Sequence, residues 1–80
     1  MVAGAAHPLL RRIGQRIREL REARGWSQER LADEAGLDRS YMSGIERGVR
    51  NVSVLKIARL SRALRVPLRD LMPDPGVRNP

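Results

Sequence analysis

The 80-residue sequence contains no cysteine and no phenylalanine, and it has a single histidine, tryptophan and tyrosine: His7, Trp26 and Tyr41. Without cysteine there is neither a disulfide framework nor a thiolate metal centre, and a lone histidine argues against a zinc site. Such a composition suits a reducing compartment, so a cytoplasmic location is expected. No apolar run approaches the roughly 18 residues needed to cross a bilayer. The opening MVAGAAHPLL lacks a basic n-region and is broken by Gly4 and Pro8, which is wrong for a signal peptide. The chain also lacks a cysteine nucleophile, a histidine–carboxylate pairing, a phosphate loop and a metal cluster, so the sequence predicts no enzyme, no cofactor and no small-molecule ligand.

What the sequence does have is positive charge, unevenly placed. Its formal charge is +7. Residues 1–46 carry eight basic and seven acidic groups. Residues 47–69 carry seven basic groups (Arg47, Arg50, Lys56, Arg59, Arg62, Arg65 and Arg69) and no acid. A basic block of this kind is either the electrostatic footprint of a nucleic-acid binder or a solvated face that keeps a small protein soluble. A chain of this length buries only about 60–65% of its unfolded surface, so the core is thin and self-association would help it.

Apolar spacing and caps predict an all-α fold: a compact bundle of five short helices, with no strand pattern and no internal repeat. The first helix runs from residue 9 or 11 to 24, with Ile13, Ile17 and Leu20 on one face and Gly25 as its stop. Ser27 caps the second, which ends at Gly36; Trp26 and Leu31 form its hydrophobic staple. Asp38 caps the third, Leu37 and Met42 are its staple, Met42 and Ile45 face inward, and Gly48 ends it. The fourth spans about 53–64, with Val54, Ile57, Leu60, Ser61 and Leu64 inward and Lys56, Arg59 and Arg62 outward. Pro67 opens a short fifth helix, 67–72. The expected organisation is a tail at 1–8, one domain at 9–72 and a Pro/Gly-rich tail at 73–80.

The most specific stretch is residues 27–48, SQERLADEAGLDRSYMSGIERG. Two short helices hinge at Gly36, and the second presents Arg39, Ser40 and Ser43 outward. Ala32, Gly36, Met42 and Ile45 follow the pattern A-x3-G-x5-Φ-x2-Φ, where Φ is a large apolar residue. A small residue lets the helices cross closely, and glycine permits the positive φ of the turn. This is the geometry of a helix-turn-helix, the device that sets a helix into the DNA major groove. On these residues, the span 13–71 resembles the lambda repressor and Cro (XRE-type) family of helix-turn-helix regulators. Within that family, LDRSYMSGIERGVRNVS is similar to the controller proteins of restriction–modification systems.

The resemblance implies roles residue by residue. Ser27 and Gln28, at the start of helix two, match phosphate-contacting positions, and exposed N–H groups beside them suit a phosphate oxygen. Arg39, Ser40, Ser43 and Gly44 match positions that face base edges. Arg39 can bond guanine O6 and N7 bidentately, or else contact a phosphate. Gly44 has no side chain where relatives often read a base, which implies close backbone approach or reduced direct readout. Tyr41 either bonds a phosphate through its hydroxyl or packs its ring under helix two. Arg47, Arg50 and Asn51 match backbone-contact positions, with the minor groove as an alternative for Arg50. Arg21 and Glu46 match a structural ion pair.

The implied function is a sequence-specific, double-stranded DNA-binding transcriptional regulator. It would act as a homodimer on an inverted-repeat operator, with autoregulation and contact with RNA polymerase as further candidates. Pro67, Leu68, Leu71 and Met72 are the candidate dimer interface; the alternative is that they cap the monomer core. The competing function is a protein-interaction module such as an antitoxin or antiactivator, which would not need the basic block.

Overall fold

The computed structural model describes residues 7–72. Four α-helices follow one another: α1 (Pro8–Ala23), α2 (Gln28–Ala35), α3 (Arg39–Arg47) and α4 (Val54–Leu64), then a 3-10 turn at Leu68–Asp70. Among the described residues there is no strand. Each boundary has a local cause. The His7 imidazole accepts from the Leu9 N–H and Pro8 occupies the first helical position, so α1 starts slightly before the apolar stripe does. Ser27, Asp38 and Ser53 cap α2, α3 and α4 with side-chain oxygens. Gly36 ends α2 in the left-handed conformation, φ 70°, and the Leu37 N–H returns to the Ala32 carbonyl at 2.8 Å.

The expected fifth helix is only the 3-10 turn, with Pro67 as its cap rather than its first helical residue. A single turn is as much helix as a three-residue segment leading straight into the core can make. Arg16 fixes it by donating from Nε to the Asp70 carbonyl at 2.9 Å. The tails expected at 1–8 and 73–80 lie outside the described residues, except that His7 and Pro8 begin α1.

Ile13 and Ile17 of α1, Leu31, Ala32 and Ala35 of α2, Met42 and Ile45 of α3, and Ile57, Leu60 and Leu64 of α4 meet in one core. Leu71 joins them with no exposed surface. Of the residues assigned to the dimer interface, Leu71 is therefore withdrawn: it closes the bottom of the monomer core, while Pro67, Leu68 and Met72 stay exposed. Val54 is also corrected. It is in phase with Ile57 but lies in the first turn of α4, where no neighbouring helix covers it, and it is 70% exposed.

The close contact that sets the position of α3 is with α1, and it depends on two glycines. A Cβ on Gly14 would lie 2.7 Å from the Glu46 carbonyl oxygen and nearer still to that of Ile45. A Cβ on Gly48 would lie 2.6 Å from the Arg11 Cα, and Gly48 also holds φ 74° as the cap of α3. Backbone thus meets backbone at both ends of this seam. Gly14→Ala is expected to destabilise the fold by about 1–3 kcal/mol although alanine is the better helix former, because the obstructing atoms are main-chain carbonyls with no rotamer to change. Urea denaturation measures this; a variant as stable as wild type would show that the seam can open at no cost.

Candidate nucleic-acid interface

With Met42 and Ile45 anchored in the core, the opposite side of α3 is turned outward. Arg39 is exposed and makes no ion pair or side-chain hydrogen bond among the described residues, so its guanidinium is available. Ser40 is exposed too, but its hydroxyl donates to the Asp38 carboxylate. That leaves the Ser40 oxygen as an acceptor only. Ser43 is half-buried.

Asp38 organises this end of α3. One of its oxygens accepts the Ser40 hydroxyl, the Ser40 N–H at 2.9 Å and the Tyr41 N–H at 3.3 Å. The Ser40 hydroxyl bond, the two backbone N–H groups and the Arg50 charge together hold its carboxyl below the usual carboxylate value. A carboxyl whose pKa is lowered on folding stabilises the fold above its unfolded value of about 3.9, and this contribution disappears as pH falls through the lower folded value. Thermal melts taken downward from about pH 4 should therefore show wild type losing more stability than Asp38→Asn. Parallel pH profiles would mean that the cap carries no charge-dependent stability.

Gly44 is not an open position facing a groove. It is buried beneath Arg50, whose side-chain stem crosses it, and a Cβ at Gly44 would meet that stem. The close approach implied by glycine in mid-helix is made by the chain itself. The Tyr41 hydroxyl donates to the Asn51 carbonyl at 2.8 Å, and its half-buried ring packs against the core that α2 helps to build. Its ring lies 5.6 Å from the Arg50 guanidinium and 5.2 Å from the Lys56 ammonium. Tyr41 thus pins the α3–α4 loop and gathers Arg50, Asn51 and Lys56 beside α3. The Arg47 side chain lies apart from them, in an open groove between α1 and α3 shared with Arg11 and Arg18.

At the start of α2, the Ser27 hydroxyl oxygen accepts the Arg30 N–H at 2.9 Å as the cap. Gln28 is half-buried and donates from Nε2 to Glu46 at 2.9 Å. The expected ion pair is present and bidentate: Arg21 Nε to Glu46 Oε2 at 2.6 Å and Arg21 Nη2 to Glu46 Oε1 at 3.1 Å. Arg21 also donates to the Trp26 carbonyl at 2.6 Å. Hydrogen bonding to Glu46 outweighs burial and raises the pKa of Arg21, so the guanidinium stays charged. The Gln28–Glu46 bond, the Lys56–Tyr41 contact and the Arg50–Gly44 crossing had no signal in the sequence beyond the glycine itself.

Among the described residues, no helix is long and apolar enough to cross a membrane, and no group of three or more His, Cys, Asp or Glu side chains could hold a metal ion. The family described as helix-turn-helix matches residues 17–71. The control protein C.BamHI of Bacillus amyloliquefaciens is 48% identical over 61 residues, which is 75% of each chain. The restriction–modification controller protein C.AhdI from Aeromonas hydrophila has a crystal structure that superposes with a TM-score of 0.77 at 56% identity, over 79% of this chain and 96% of that one. The biofilm master regulator SinR, in a crystal structure with DNA, superposes with a TM-score of 0.70 at 40% identity, over 74% of this chain and 95% of that one.

Proposed function

The chain belongs to the helix-turn-helix family, among the XRE-type DNA-binding regulators, and on that premise we propose that it is a homodimeric, sequence-specific regulator of transcription acting on an inverted-repeat operator. The observation that carries the proposal is the two-sidedness of α3. Its apolar residues are locked in the core, while Arg39 is exposed with no partner among the described residues and Tyr41 gathers Arg50 and Lys56 where the chain leaves α3. Arg39 reads a base, with guanine as the natural partner. Ser40 accepts from a base amino group, and Ser43 contributes a contact of its own or one through water. Gly44 lends its surface to Arg50, which with Arg47, Asn51, Ser27 and Gln28 holds the phosphate backbone.

A single helix reads only a few base pairs, so useful discrimination needs two copies. With Leu71 in the core, the large apolar side chains left exposed among the described residues are Leu9, Val49, Val54, Leu55, Leu68 and Met72, and Leu68 and Met72 with Pro67 are the ones assigned to a second copy. The C.AhdI and C.BamHI likenesses support a controller-type role, which adjacent methyltransferase and endonuclease genes would establish.

Selection from randomised duplexes tests the assignment of roles. Arg39→Ala is expected to flatten the preference at one position, costing about 1–3 kcal/mol of discrimination there. Arg50→Ala is expected to weaken binding to all sequences alike and to lower the slope of log affinity against log salt by roughly 0.9. An Arg39→Ala protein that selects the wild-type operator with undiminished discrimination overturns the readout role.

A further inference from the structure

We infer that Glu46 is a positioning residue for DNA binding, holding the Gln28 amide so that one of its N–H groups is fixed inside the protein and the other is aimed at a phosphate. The inference rests on the reading of Gln28 as a phosphate contact and gives that contact its mechanism. Glu46 lies on the inward side of α3, where an ion pair with Arg21 alone would account for its burial. The two carboxylate oxygens are not used alike, however. Among the described residues, Oε2 accepts only from Arg21, at 2.6 Å, whereas Oε1 accepts from both Arg21, at 3.1 Å, and Gln28, at 2.9 Å. The Glu46 side chain is 2% exposed, so water does not compete for that second bond.

Gln28 is the first residue of α2, and its side chain is only half-buried. A primary amide carries two N–H donors. With one bonded to Glu46, the amide plane is fixed and the second donor is free beside the unpaired backbone N–H groups of the first turn of α2. Glutamine on a helix start otherwise samples several rotamers, and ordering it costs entropy when a ligand binds. Here that order exists before DNA arrives. The same carboxylate belongs to α3, so the phosphate contact on α2 and the outer face of α3 keep a fixed separation.

The test compares wild type, Gln28→Met, Glu46→Gln and the double variant binding a fluorescent duplex of mixed sequence at several salt concentrations. The temperature is one at which Trp26 fluorescence and circular dichroism show every protein folded. Each single variant should lose about tenfold in affinity, the size of one hydrogen bond to a charged group. The salt slope counts phosphates neutralised by cations, so loss of the uncharged Gln28 donor should leave it near its wild-type value in Gln28→Met. The double variant should be no weaker than the weaker single. A Glu46 that only stabilises the fold would lower the melting temperature and leave the affinity of the folded protein at its wild-type value.

If Glu46→Gln does not fold, the wild-type protein decides the matter by nitrogen-15 NMR of the Gln28 side chain. One amide proton should be protected from exchange in the free protein, and the other should shift when duplex is added. Equal, rapid exchange of both protons overturns the inference, as does wild-type affinity in folded Glu46→Gln. A wild-type protein that binds no duplex overturns the DNA reading itself, and this inference with it.

Discussion

Glu46→Ala is expected to remove about 3–5 kcal/mol of stability, because it strands the buried Arg21 guanidinium without its counter-ion. A domain of this length has roughly 0.05–0.15 kcal/mol of stability per residue, so this loss is a large part of the whole. The guanidinium would keep its bond to the Trp26 carbonyl, and only the exposed Glu22, 3.9 Å away, could replace the lost charge. Arg21→Ala should cost a similar amount by leaving the Glu46 carboxylate with Gln28 as its one remaining partner. The double variant Arg21→Met/Glu46→Leu should be more stable than either single substitution, since two apolar groups of similar volume remove the desolvation cost together with the attraction. Urea denaturation followed by Trp26 fluorescence measures all four proteins. Single variants within about 1 kcal/mol of wild type would mean that the pair is as weak as an exposed one.

The second large effect concerns operator geometry. A two-fold dimer must place its two α3 helices in the major groove on one face of the duplex, with half-site centres about one helical turn, roughly 34 Å or 10–10.5 base pairs, apart. Inserting five base pairs between the half-sites turns them to opposite faces and should abolish tight binding; inserting a full turn should weaken it less. In such a dimer the midpoint would lie between two α3 exits, each carrying Arg50, Asn51 and Lys56. A pliable or narrow-grooved spacer should therefore bind better although no side chain reads its bases. Footprinting and titration of the insertion series provide the check. Tight binding that survives the half-turn insertion would falsify the two-fold arrangement.

How far the sequence could be read followed the range of the forces involved. Helix starts and stops rest on a few neighbouring residues, so Ser27, Asp38, Gly36 and Gly48 announce them. The inward face of α3 follows from the spacing of Met42 and Ile45, and the Arg21–Glu46 pair from a charge in an apolar phase together with a family likeness. Contacts between distant residues were the harder part. Leu71 looks the same in sequence whether it covers its own core or a partner's, and only the return path after α4 decides it. Val54 has the right phase and the wrong place, because periodicity says which way a residue points and not how far the neighbouring helix extends. Gly44 signalled close approach without naming Arg50 as what approaches. Ser40 and Tyr41 have polar groups that could serve DNA or the protein, and folding has engaged their hydroxyl protons inside the chain.

The glycine seam between α1 and α3 also bears on how such a protein changes its target. Where two helices meet through interlocking side chains, a new residue on one shifts the other, and a gain in recognition is entangled with a change of angle. Here α3 is held from behind by main chain, at Gly14 and Gly48, and its docking direction does not depend on which side chains it carries in front. Arg39, Ser40 and Ser43 can therefore be exchanged as a set while the frame stays where it is. The two glycines, neither of which needs to touch DNA, would be the residues that a lineage diversifying its operators could least afford to lose.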